Sequence, residues 1–196
     1  NKGKVVFSKE FPWDPVPQTD PEYHYQKLTA GLKEAAAALP RVDALGGSTA
    51  GTLVGQKMGI ASLCRGVKTH SPEKFETAQN MFFRIEKDWG VPFAVYNDGD
   101  VTALAGMISM NKNGILGVAM GSSEAVGYVD PKRRMTGRIC ELAFAPVDFN
   151  PCAPKDEWSG DYGVGAMAFS QQAANWLAEK YGFKFPKSMK LPERLK

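Results

Sequence analysis

The residues best suited to chemistry sit where short apolar runs end. Asn97-Asp98-Gly99-Asp100 follows the β-prone run Phe93-Ala-Val-Tyr96 and precedes Val101 to Met110, which is rich in Ala and Leu and reads as a helix. A carboxylate at a strand's carboxyl end, close to helix N–H groups, can accept a proton from a bound hydroxyl while Asn97 hydrogen-bonds a neighbouring hydroxyl. The competing role for Asp98 or Asp100 is that of a helix cap. Gly121-Ser122-Ser123 divides two strand-like runs, Ile115 to Met120 and Glu124 to Val129, and glycine and serine at such a tip can offer N–H and hydroxyl groups to phosphate oxygens, or simply make a tight turn. Glu141 is the lone acid in the apolar run Ile139 to Pro146. Burying a carboxylate is costly, so it calls for polar partners such as ligand hydroxyls or backbone donors.

These residues need a scaffold of alternating strands and helices. Val5 to Phe7 reads as a strand leading into the proline-dense connector Phe11 to Gln18. Asp20-Pro21 is the cap and first residue of a helix over 21–39, with Leu28, Leu32, Ala35 and Leu39 on one face. Val42 to Leu45 is a brief strand ending in the small-residue loop Gly46-Gly47-Ser48-Thr49-Ala50-Gly51, the place where α/β proteins bring backbone close to a ligand. Ser71-Pro72 opens a helix whose stripe is Phe75, Ala78, Phe82, Ile85 and Trp89, stopped by Gly90, and a last helix runs from Tyr162 to Tyr181. The alternation specifies an α/β fold with a mixed sheet and flanking helices.

Composition narrows the function. The 196 residues are 43% hydrophobic, enough to build a core, and no apolar run approaches the length of a membrane helix. Net charge is +3, but the last thirteen residues alone hold +4, leaving the body near neutral and without the basic face that nucleic acid requires. Cys64, Cys140 and Cys152 are odd in number and lack metal-ligand spacing, and no signal peptide is visible, so a reducing, cytoplasmic setting is expected.

Taken in order, Tyr96-Asn97-Asp98-Gly99, Gly121-Ser122-Ser123 and Cys140-Glu141-Leu142-Ala143-Phe144 resemble the ENDA-type, GTG-type and GEIGH-type segments of the ROK family of sugar kinases and sugar-responsive repressors. The resemblance spans residues 4 to 182, and Gly47 to Gly51 is similar to the family's sugar loop. It implies an incomplete actin-like (ribonuclease H-like) ATPase fold, with 1–110 in an N-terminal lobe and 111–196 in a C-terminal lobe. It implies Asp98 as general base, Ser48, Thr49, Asn97 and Glu141 as sugar ligands, and Gly121, Ser122 and Ser123 as contacts to the phosphates of ATP, with Mg²⁺ in the complete protein. The ligand is then a small sugar, bound without nucleic acid or membrane, and a homo-oligomer is compatible. A non-catalytic sugar-sensing module of a repressor is the alternative.

The departures carry expectations too. Phe144 stands where the family places a sugar- and zinc-contacting histidine, and the zinc-binding cysteine cluster is replaced by Cys152-Ala-Pro-Lys-Asp-Glu, so no zinc is expected. The family's opening DxGGT-type phosphate loop has no counterpart here, and the segment alone is not expected to complete a kinase cycle.

Overall fold

The computed structural model describes residues 4–59, 61–121, 123–136, 141–156, 159–189 and 193. Two compact units divide the chain, Asn1–Asn97 and Asp98–Lys196.

In the first unit, α1 (Pro21–Ala37) starts where Asp20 accepts the N–H of Glu22 at 3.1 Å and Pro21 fills the first position, where no N–H is needed. Asp20→Ala is expected to cost about 1 kcal/mol in a urea melt, and Asp20→Asn much less. An unchanged midpoint for the Ala variant would mean that packing alone fixes the helix start. Leu28 and Leu32 of α1 pack on a core of Met58, Cys64, Val67, Ala78, Met81, Phe82, Ile85, Phe93 and Val95. The stripe expected over 71–89 does face this core, but the helix is broken. After a short 3-10 turn at Pro72–Lys74 come α3 (Phe75–Gln79) and α4 (Met81–Trp89), with Asn80 between them at φ −92°, ψ 8°. Asn competes with the helix for backbone partners, and the hydrophobic pattern carries no mark of that break. Gly90 ends α4 in the left-handed region, φ 63°, where a side chain would be strained. Composition also gave no sign of α2 (Arg65–His70).

Two corrections concern strands. Val5 to Phe7 is not one: Val5 is 74% exposed and Val6 47%, and among the described residues they pair with no strand. Strand propensity is realised only through such neighbours. Further on, this leading segment is tied down by backbone, with Gly66 N–H donating to Val16 O at 2.9 Å. The fully buried His24 ring joins it, its Nε2 lying 2.7 Å from Leu63 O and 3.2 Å from Pro15 O. The strand expected at Val42 to Leu45 instead begins at Leu45. It runs through the presumed loop as β1 (Leu45–Thr49), pairing parallel with β4 (Phe93–Asn97) from Leu45↔Phe93 to Thr49↔Asn97. A Cβ on Gly47 would lie 3.3 Å from the Phe93 ring and Val95, so a side chain there would press these two to give by a few tenths of an ångström. Between them, β2 (Leu53–Val54) and β3 (Lys57–Met58) form a small hairpin.

The second unit is built on one close contact. Helix α5 (Asp98–Met110) starts directly from β4 and lies on the antiparallel pair β5 (Ile115–Met120) and β6 (Glu124–Val129). Gly117 and Gly127 are register partners; a Cβ on the first would lie 2.2 Å from the Ala103 nitrogen, and on the second 2.2 Å from the Asp100 Cα. Side chains are excluded where the helix backbone rests on the sheet. A 3-10 turn at Leu142–Phe144 follows, and a loop returns through the bridge Pro146↔Val164. The last helix, expected from Tyr162, begins only at α6 (Gln171–Lys180), because Gly163 is left-handed (φ 67°) and the buried Ser170 caps α6 by accepting the Ala173 N–H at 3.1 Å.

Candidate functional site

In the first unit, the parallel register sets Ser48 beside Tyr96 and Thr49 beside Asn97 at the carboxyl ends of β1 and β4. The Asn97 side-chain amide donates to Gly51 O at 2.8 Å, which ties the segment after β1 to the end of β4. Thr49 Oγ1 donates to Ala50 O at 3.2 Å. Three residues named from sequence thus share one edge, as strand ends rather than as a free loop.

In the second unit, half-buried Asp98 opens α5. Its carboxylate accepts from the N–H groups of Asp98 and Gly99, the latter at 3.2 Å. An N-cap would reach the second or third N–H of the helix instead. Burial pushes the Asp98 carboxyl above its ordinary range, and the two N–H groups partly offset that. Asp100 is also raised, by burial. Glu141, just ahead of the Leu142–Phe144 turn, is raised by burial first and then by the charges of Asp98 and Glu124. Asp98 and Glu141 are therefore brought within electrostatic reach of each other in one unit.

Glu124 was not singled out in sequence, yet it is 6% exposed at the start of β6 and raised by burial. In sequence it sits directly behind the polar Gly121-Ser122-Ser123 turn, so nothing local marks its burial. Its position bears on the expected phosphate tip. Gly121 N–H donates to Ser123 O at 2.9 Å inside the turn, so it is not turned toward a ligand, and Ser122 lies outside the described residues. A buried acid directly after the turn repels phosphate. Among the described residues, no group of three or more His, Cys, Asp or Glu side chains could hold a metal ion, and no helix is long and apolar enough to cross a membrane.

The raised carboxyls set a pH dependence. Asp98, Asp100, Glu124 and Glu141 bind their protons more tightly folded than unfolded, so the stability they contribute is full below their ordinary values of 3.8 to 4.5 and is lost as pH rises through the folded values. Asp130 has the opposite sign: held down by the Arg134 and Lys132 groups around it, it loses stability as pH falls. Glu124→Gln removes one penalised charge at constant shape. It is expected to melt close to the parent near pH ~4 and above it near pH ~7. A variant melting below the parent at neutral pH would contradict this.

No family model and no curated protein sequence matches the chain. Solved structures do. The ROK hexokinase from Thermus thermophilus superposes with a TM-score of 0.61 at 18% identity, covering 86% of this chain and 54% of that one. A ROK family transcriptional regulator, described as a homologue of the E. coli MLC protein, gives 0.57 at 18% identity, covering 88% and 44%. A glucokinase from Parabacteroides distasonis gives 0.55 at 14%, covering 86% and 48%. The chain spans about half the length of these structures. Kinases and a regulator are matched alike, so the likeness assigns the architecture and not the activity. The chain has the actin-like α/β fold of ROK sugar kinases and regulators, over part of their extent.

Proposed function

We propose that this chain is the sugar-binding portion of a ROK-type carbohydrate kinase, in which Asp98 takes the proton from the sugar hydroxyl that becomes phosphorylated. The observation that carries this reading is the carboxylate of Asp98: it stands at the junction of β4 and α5, is raised by burial, and is not engaged in the cap bond that would give it a structural task. A base with a raised pKa holds an abstracted proton better than an ordinary aspartate, and fixed geometry lowers the cost of bringing it to the hydroxyl. Glu141, in the same unit as Asp98, accepts from a neighbouring hydroxyl, and the resemblance implies a sugar contact for Asn97. ATP with Mg²⁺ is the phosphoryl donor that the resemblance implies for the complete protein, with Gly121, Ser122 and Ser123 as its phosphate contacts.

One observation favours a second reading, a sugar sensor without phosphoryl transfer: the tip spends its Gly121 N–H internally and is followed by buried Glu124. Titration of a complete protein carrying this segment with neutral and amino sugars, then with ATP and Mg²⁺, separates the readings. Sugar binding with nucleotide binding supports the kinase, sugar binding alone supports the sensor, and binding of neither contradicts both.

A further inference from the structure

A half-open cleft of about 400 Å³ lies in the first unit, between the proline-dense connector and α1, and the sugar reading gives it no task. Phe11 and Trp13 form one wall, and Leu28, Gly31 and Leu32 of α1 form the other. The Trp13 wall is held in place: its ring stacks on Tyr23 at 6.5 Å and meets the buried His24 edge-on at 6.0 Å, while the Asp14 N–H donates to the Tyr23 hydroxyl at 3.2 Å. The cleft is thus built before any ligand arrives, and its volume falls within the roughly 300–1,000 Å³ of small-molecule sites.

Two features say what fills it. Gly31 stands in the interior of a helix, where glycine is the weakest former after proline. Packing does not demand it, because a Cβ there would lie 3.5 Å from the Phe11 ring, an ordinary contact. A longer side chain at this position would take up the cleft. The second feature is charge. Lys27 is the charged residue of the lining, and among the described residues no carboxylate forms an ion pair with it; its ammonium lies 5.6 Å from the Tyr23 ring centroid. Glu34, on the same helix, is already paired with Lys9 at 2.6 Å. An apolar trough with an uncompensated cation at its rim matches a ligand with an apolar body and one negative head. From Lys27 to Leu32 the helix advances only about 7.5 Å, so that body is short.

We propose that this cleft binds a small amphiphilic carboxylate, its apolar body against Leu28, Gly31, Leu32 and the Phe11 and Trp13 rings and its carboxylate on Lys27. The cleft shares no residue with the sugar site, and the proposal does not rest on that reading.

Calorimetric titration of a complete protein carrying this segment with octanoate and with 1-octanol tests it. Octanoate is expected to bind with a Kd below about 1 mM, and about three- to fivefold more tightly than octanol, the scale of one exposed charge pair. Lys27→Gln is expected to remove that difference and leave octanol affinity unchanged. Gly31→Leu fills the cleft and is expected to weaken both ligands about tenfold or more, with a melting temperature no lower than the parent's because leucine favours the helix. Absence of octanoate binding at several millimolar overturns the proposal, and so does equal affinity for octanoate and octanol. Octanoate binding that survives Gly31→Leu, or an octanoate preference that survives Lys27→Gln, overturns it as well. If Gly31→Leu melts early, the Lys27→Gln titrations decide alone, since Lys27 is exposed and its replacement leaves the fold intact.

Discussion

Asp98→Asn, in a complete protein carrying this segment, is expected to lower turnover by about two to four orders of magnitude while sugar affinity and melting temperature change little. Asn keeps the shape of Asp98 and can still accept the Gly99 N–H, so the contact at 3.2 Å survives. What disappears is the ability to take a proton. A purely structural Asp98 predicts the reverse pattern, since Asn is as good a cap as Asp and turnover would be near that of the parent. Asp100→Asn is the control. Asp100 is also raised by burial, but its Cα lies under the Gly127 contact, on the face of α5 that packs on the hairpin. Its loss is expected to leave turnover within about tenfold. An equal fall at both positions would mean that the base has been misassigned.

Gly127→Ala is expected to unfold or strongly loosen the second unit, costing about 3 kcal/mol or more in a denaturant melt. Its Cβ would sit 2.2 Å from the Asp100 Cα and 2.3 Å from the Asp100 nitrogen, both backbone atoms of α5 that cannot swing aside. The helix would have to lift from the hairpin, and Asp98 would move with it. Gly46→Ala in β1 is the matched control: a Cβ there meets nothing within 4 Å, and the expected cost is below about 1 kcal/mol. Equal effects at the two glycines would show that the helix rests on the hairpin less closely than described.

How legible these features were depended on whether the cause was local. The β4 run, its junction with Asp98 and the Phe75-to-Trp89 stripe were readable, because apolar runs and helical spacing are written directly into neighbouring residues. So was the hairpin, whose observed ends Ile115–Met120 and Glu124–Val129 coincide with the expected ones. β1 was misplaced because Gly46-Gly47-Ser48-Thr49 is a poor strand sequence that becomes one only by pairing with β4. Val5 to Phe7 failed for the converse reason, good propensity with no strand partner among the described residues. Glu141 drew attention as a lone acid in an apolar run, whereas Glu124 opens β6 directly behind a polar turn, and its burial comes from contacts with the distant Leu142 and Gly165 segments. The Gly117–Gly127 pair could be listed from sequence as two glycines, but their facing register and the helix above them belong to tertiary structure.

The most direct test of a sugar site centred on Asp98 is a crystal structure of the protein with a bound sugar. A sugar hydroxyl is expected within about 2.6–3.2 Å of the Asp98 carboxylate, with a neighbouring hydroxyl or amine on Glu141. A sugar bound away from both carboxylates, or saturating sugar that leaves them untouched, would contradict the account.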